Sequence, residues 1–250
     1  MHVRSGAVVV LAMALVQGSA LAQPKQPDWS KVEVKATKVA GNVYMLQGSG
    51  GNIGVSAGPD GILIIDDQFA PLAPKIKAAL KGIADAPLRF LINTHYHFDH
   101  TGGNGIFGKE SLIIAHENVR NRLQAGSNVL GNVSPPAPVS ALPVITFKDQ
   151  VSIHFNGEEI RAVHYPHGHT DTDSMVFFPV SKVVHVGDHY FGGKFPFVDI
   201  DGGGSVTGLV ANLEKVAAEL PADTKVIPGH GDVSTVADLK AFAQAVKEMR

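Results

Sequence analysis

The sequence predicts an α+β protein in which two β-sheets pack face to face with helices on the outside. Three observations carry this expectation. Short apolar runs separated by Gly and Pro turn signals recur along the chain. Both halves run from strands into a helix and back to a strand. Histidines and aspartates fall just past the strand ends, which gathers ligand-type side chains at sheet edges.

The elements follow in order. Val32-Glu33-Val34, Val43 to Leu46 and Asn52 to Val55 are alternating runs, with Gly50-Gly51 and Pro59-Asp60-Gly61 as turns between them. Gly61 to Ile65 is apolar throughout, as a strand buried on both faces should be, and ends in Asp66-Asp67. Pro71 to Ile83 carries a helical stripe of Leu72, Ile76, Ala79, Leu80 and Ile83. Leu88 to Asn93 and Ser111 to Ala115 read as strands, and His116 to Ala125 as a helix. Gly126 to Pro143 holds four prolines, two glycines and two asparagines and reads as a long irregular loop. In the second half Ser152 to Phe155, Glu159 to His164, Ser174 to Phe178, Val183 to Val186 and Lys225 to Ile227 read as strands. Val206 to Leu220 and the segment from Ser234 onward read as helices.

Composition narrows the function. Of 250 residues, 44% are hydrophobic and 18% charged, which fits a buried core and not a disordered chain. The formal net charge of −2 offers no basic surplus for nucleic acid. The chain has no cysteine, which removes disulfides, thiolate ligands and thiol nucleophiles together. Arg4, the apolar run Ala7 to Val16 and Ala20-Leu21-Ala22 form the three parts of a secretory signal peptide. The expectation is therefore an exported, periplasmic or secreted protein whose residues 1–22 are removed, leaving one domain at 23–250. No later segment is apolar enough to span a bilayer.

The 12 histidines are the strongest chemical signal. In Thr94-His95-Tyr96-His97-Phe98-Asp99-His100, residues i and i+2 point the same way in extended backbone, so His95 and His97 reach one ion together. A turn after them brings Asp99 and His100 toward a second ion. Imidazole nitrogen and carboxylate oxygen suit Zn²⁺ at ~2.0–2.2 Å. Further candidates follow later strands in glycine-containing turns: His167-Gly168-His169, Gly187-Asp188-His189 and Gly229-His230-Gly231.

This set, His95-x-His97-x-Asp99-His100 followed by His169, Asp188 and His230, resembles the metallo-β-lactamase superfamily from roughly Val43 to Gly231. The resemblance implies a four-layer αββα sandwich with metals at one edge. It implies His95, His97 and His169 on a first zinc, Asp99, His100 and His230 on a second, and Asp188 bridging both. Asp66 matches an acid that orients the ligands from behind. The absence of cysteine beside the Asp188 position, and the presence of Asp188 itself, make the ligand set more similar to glyoxalase II-type thioesterases and lactonases. The implied chemistry is attack of a metal-bridging hydroxide on an ester, thioester, lactone or β-lactam of a small-molecule substrate, with Asp99 assisting proton transfer. Iron or manganese is an alternative occupant of the same ligands, as an oxygen or persulfide enzyme would use; a periplasmic metal-binding accessory role is the non-enzymatic alternative.

Lys194, after Gly192-Gly193, is a candidate for holding a substrate carboxylate, and Tyr190 for polarising a substrate carbonyl. Gly202-Gly203-Gly204-Ser205 reads as a helix-entry turn, since it lacks the Lys-Ser/Thr of a nucleotide loop. His116, His154 and His164 read as structural or surface histidines, and His169 is favoured over His167 because it directly precedes Thr170.

Overall fold

The structure, a computed structural model, describes residues 27–249; the expected export segment at residues 1–22 lies outside them. The first sheet contains β1 (Lys35–Ala40), β2 (Val43–Gln47), β3 (Ile53–Gly58), β4 (Gly61–Ile65), β5 (Leu88–Ile92) and β6 (Leu112–His116). A separate hairpin, β7 (Ser127–Val129) and β8 (Asn132–Ser134), precedes the last strand of that sheet, β9 (Ile145–Phe147). The run from β1 to β4 is an antiparallel meander, whereas β4, β5, β6 and β9 are parallel. Parallel neighbours need crossovers. These are α1 (Ala73–Ile83), the short α2 (Phe98–Thr101) and α3 (Asn104–Phe107), and α4 (Glu117–Ala125).

The second sheet is ordered β10 (Gln150–Phe155), β11 (Glu158–His164), β12 (Ser174–Phe178), β13 (Val183–His185), β14 (Lys225–Ile227) and β15 (Ser234–Thr235). It is antiparallel except for β13 and β14, which are joined through α5 (Val206–Glu219). The chain closes with α6 (Val236–Met249).

The uninterrupted apolar strands make sense in this arrangement. Along β4, Leu63 and Ile65 point into the layer between the sheets, and Ile62 and Ile64 point to the helix α1. The same alternation sends Ile92 and Ile114 inward and Leu91 and Ile113 outward. In the second sheet Val176 and Val183 face the first sheet, while Met175 and Val184 face α5 and α6 through Leu209, Leu213 and Leu239. Three apolar layers thus separate four structural ones, the expected αββα sandwich. Truncating a residue such as Ile65, which is fully buried, would cost about 2–5 kcal/mol through lost burial and the cavity left behind.

The structure shifts some expected boundaries. Pro71 and Pro74 place Leu72 in a separate 3-10 turn, Ala70–Leu72, so α1 proper starts at Ala73. Ser234–Thr235 pairs with β14 as a strand before α6 begins. Thr235 then caps α6: its Oγ1 accepts from the Asp238 N–H, and Asp238 Oδ2 accepts from the Thr235 N–H. The segment Gly126 to Pro143 is not irregular throughout, because it contains the β7–β8 hairpin and a 3-10 turn at Val139–Ala141. No helix of the described residues is long and apolar enough to cross a membrane.

Strand direction places the candidate site. β4, β5, β11, β13 and β14 each end in a segment that carries one or more of the expected ligands or Asp66. The two sheets are stitched at this edge. Asn52 donates from its backbone to Gly229 O (2.6 Å) and from its side chain to Pro228 O (2.9 Å) and Gly231 O (2.8 Å). Ser174 N–H donates to Thr94 O at 2.8 Å.

Candidate metal centre

Two groups of donor side chains meet at the joined edge. His95, His97 and His169 converge with Asp188, and Asp99, His100 and His230 form a second group beside them. Asp188 lies between the two. Its Oδ2 is 3.9 Å from His95 Nε2, 3.5 Å from His169 Nε2 and 3.4 Å from His230 Nε2, and its Oδ1 is 3.1 Å from His100 Nε2. Asp99 Oδ2 is 3.4 Å from His230 Nε2 and 3.8 Å from His100 Nε2. All seven residues expected from the sequence are therefore brought together.

Local backbone explains the approach. His97 is extended and immediately precedes α2, so the chain turns there and carries Asp99 and His100 away from the His95–His97 direction. A side chain at Gly229 would overlap Asp188 Oδ1, and one at Gly51 would overlap the His100 imidazole. Those two glycines let backbone from each sheet close on the donors.

The imidazoles are oriented from behind. Asp66 Oδ2 accepts from His100 Nδ1 at 2.7 Å, while its two oxygens also accept from Thr94 N–H and Oγ1 at 2.7 Å each. Asp66 comes within reach of His95 and His100, but these bonds use both of its oxygens, which fits the supporting role expected of it. Phe197 O accepts from His169 Nδ1 at 2.7 Å, and His95 Nδ1 lies 3.0 Å from Thr94 Oγ1. His97 Nε2 contacts Asp199 Oδ2 at 2.9 Å, and Tyr96 Oη donates to the same oxygen. Asp199, Thr94 and Asn52 were not singled out by the sequence. Each works through a partner 28 or more positions away, and nothing in local spacing marks that.

The electrostatics favour ligand protonation states at His95, His169 and Asp188. Burial pushes His95 well below the usual histidine range and His169 down to about 4, so both are neutral imidazoles at pH 7. Burial alone would raise Asp188, but His100, His230 and His169 hold its carboxyl well below the usual carboxylate range. Burial alone would lower His100, yet Asp188, Asp99 and Asp66 hold it well above the usual range. A cluster that draws a proton onto a fully buried imidazole is one that favours positive charge at that point.

Three donor atoms test whether metal ions fit. His95 Nε2, His100 Nε2 and Asp188 Oδ1 are buried without a hydrogen-bond partner. His100 Nε2 and Asp188 Oδ1 are near each other but not aligned as a hydrogen bond. Unpaired buried polar atoms cost roughly 1–3 kcal/mol each, so a convergent set of them calls for a cation. An all-N/O donor set of seven, more than one tetrahedral ion uses, suits two ions of the zinc kind.

The weaker expectations fare differently. The Tyr190 hydroxyl donates to Ser234 Oγ at 3.3 Å, and its ring packs on Phe242 of α6 at 4.9 Å. The structure thus turns Tyr190 into the outer helical layer and does not bring it to the cluster; packing against α6 decides its direction. Lys194 is exposed and forms no ion pair among the described residues; it lines an outer groove with Phe195, Pro196 and α6. The Gly202–Gly204 run is a packing device: side chains at Gly202, Gly203 and Gly204 would overlap Asp199, Asp171 and His169 O respectively, and Ser205 caps α5 by accepting from Gly208 N–H. His116 caps α4 and stacks on His164 at 3.7 Å, apart from the donor cluster.

Fold and donor set together define the metallo-hydrolase class. The sequence matches the family model for the metallo-β-lactamase superfamily over residues 36–230, and the chain belongs to that superfamily. A hydroxyacylglutathione hydrolase from Brucella anthropi is 31% identical over 183 residues, covering 68% of this chain and 60% of that protein. A probable hydroxyacylglutathione hydrolase from Schizosaccharomyces pombe is 28% identical, covering 75% and 67%. The match therefore spans about three fifths to two thirds of those enzymes' length. The solved metallo-β-lactamase from Pontibacter korlensis superposes with a TM-score of 0.71, covering 86% of this chain and 99% of that one, at 16% identity. At that identity the likeness speaks for the fold alone.

Proposed function

We propose that the protein is an exported dinuclear zinc hydrolase that cleaves an ester, thioester, lactone or β-lactam bond in a small molecule. The observation that carries this is the convergence of His95 Nε2, His100 Nε2 and Asp188 Oδ1, buried and unpaired, between two donor groups. His95, His97 and His169 would hold the first ion, Asp99, His100 and His230 the second, with Asp188 reaching both. Bound zinc supplies a water whose pKa is lowered toward about 7 and polarises a carbonyl oxygen.

The chain's own residues set the conditions for that chemistry. Asp188 stays ionised, with Oδ2 facing His95, His169 and His230 and Oδ1 facing His100. Asp66 and Asp199 fix the planes of His100 and His97, so the donors are set before substrate arrives. Asp99 is 20% exposed, unlike the donors beneath it, and is placed to exchange a proton with a leaving oxygen, nitrogen or sulfur. The hydroxyacylglutathione hydrolase relatives support a thioester or related acyl substrate. Support for export is Arg4, the apolar run and Ala20-Leu21-Ala22.

The test combines elemental analysis with a panel of p-nitrophenyl acetate, a glutathione thioester and a chromogenic cephalosporin. Two zinc equivalents and turnover of at least one substrate, abolished by chelator and restored by zinc, are expected. A single metal equivalent under excess zinc, or a metal-loaded protein inert to all three, overturns the reading. Mass spectrometry of exported protein should find Gln23 as the first residue; an intact Met1 would refute export with cleavage at that point.

A further inference from the structure

Four of the chain's 12 phenylalanines, Phe69, Phe98, Phe191 and Phe197, and its single tryptophan form a run of rings beside the donor cluster. The Phe197 ring lies 6.0 Å from His97 and 5.6 Å from His169, and Phe191 stacks on His230 at 5.3 Å with planes 7° apart. On the other side Phe98 directly precedes Asp99, Phe69 sits 6.0 Å from Phe98, and Trp29 sits 4.9 Å from Phe69. Phe98 and Phe197 pack against the same small cluster that contains Tyr96 and Val129, so an apolar wall runs from the Asp99 side to the His169 side. Trp29, Phe69, Phe98 and Phe197 are only half-buried.

Folding alone does not require these rings to remain partly in water, and partly exposed aromatics beside a polar floor are the usual lining of a small-molecule site. Charge points the same way. Lys75 is committed to the carbonyls of Trp29, Ser30 and Val32 at 2.6–3.0 Å. Arg122 is bidentate to Asp171 at 2.7 and 2.8 Å and stands over the Tyr96 ring. Neither cation is left to recruit an anionic substrate; Lys194 lies out on the loop tip.

We infer that this aromatic rim selects an apolar acyl chain, so that the substrate class is a medium-chain ester, thioester or lactone and not an anionic peptide thioester. The inference rests on the hydrolase reading above for the reaction, but not for binding. The acyl chain lies along Phe98 and Phe197 with its carbonyl over the donors.

The experiment has two arms on the full chain. In the first, zinc-loaded protein is given p-nitrophenyl acetate, butyrate and octanoate, together with a glutathione thioester. From butyrate to octanoate kcat/KM should rise about tenfold or more, since each buried methylene favours binding several-fold. Phe98→Ala and Phe197→Ala should each cut the octanoate-to-acetate ratio at least threefold, with an unchanged Tm showing that folding is not at stake. In the second arm the emission of Trp29, the sole tryptophan, is followed during titration with 2-octanone, 2-butanone and glutarate, with and without metal. Saturable change with 2-octanone alone, weakened in Phe98→Ala, is expected. Good turnover with no dependence on chain length, or a preference for the anionic thioester that Lys194→Ala removes, overturns the rim assignment. No turnover of any ester with intact 2-octanone binding would instead sink the hydrolase reading and leave the rim assignment standing.

Discussion

The two donor groups differ in how deeply they are set. His95, His97 and His169 are at most 3% exposed, and the second nitrogen of each ring meets a hydroxyl, carboxylate or carbonyl. In the other group only His100 is buried; Asp99 and His230 are 20% and 19% exposed, and His230 leans on the Phe191 ring. The first group is thus a preformed cage, and the second has a buried floor with a solvent-facing rim. In such a pair, the caged position contributes more to stability, and the open one is where solvent and substrate exchange.

The largest expected effect comes from emptying both positions. If the ions bind only the folded state, removing ligand held at about a thousand times its Kd costs about 4 kcal/mol, or on the order of 10 °C in Tm for a chain of this size. Calorimetry with chelator, followed by zinc add-back, measures this. An unchanged Tm would mean that the donors are set by packing alone and that the cage comparison is empty.

Next in size is the difference between the groups. His97→Ala should abolish tight binding of the first ion, whereas His230→Ala should leave one ion bound and lower only the second occupancy. Stopped-flow chelation of the unaltered protein should likewise be biphasic, with the second group releasing first. One release phase for both ions would erase the distinction.

Supporting carboxylates sharpen it further. Asp199→Asn acts on His97 and Asp66→Asn on His100, so each should weaken one ion about 10–100-fold and spare the other. Cobalt substitution gives separate visible spectra to follow, and losses spread equally over both ions would show that the two supports are not independent.

The smallest effect concerns imidazoles outside the cluster. Burial and the stacked His164 push His116 down to about 4, and burial also lowers His164. The unfolded chain therefore binds more protons between about pH 4 and pH 6.5 than the folded one, so stability rises with pH across that window and is lost on acidification. Only this histidine pair is involved, so the effect is smaller than that of metal removal, a few degrees in Tm. His116→Gln should flatten the decline of Tm between pH 7 and pH 5. An equally steep decline would assign that acid sensitivity to other groups.

Much of this was legible in the sequence for identifiable reasons. Strands buried on both faces are apolar throughout, so Gly61 to Ile65 announces its two-sided packing without help from neighbours. The i, i+2 spacing of His95 and His97 carries geometry in itself, and glycine beside His230 and Asp188 marks close approach. Asp199 and Asn52 were illegible because their meaning lies in partners about a hundred or more positions away. The β7–β8 hairpin was hidden by its short strands and by the prolines that follow it. Tyr190 misled because sequence proximity to Asp188 says nothing about the side on which α6 packs.

The stitching of the two sheets by Asn52 has a consequence in time. The donors run from His95 to His230, and the last of them sits on a segment whose backbone is held by a residue that precedes the first. A chain emerging from its amino end presents His95, His97 and His169 well before His230. The caged group can be assembled early, but the open group closes only when residues 228–231 dock on Asn52. If the open group holds an ion as proposed, its loading would be a terminal event of biogenesis, governed by the metal supply of whichever compartment the finished chain folds in.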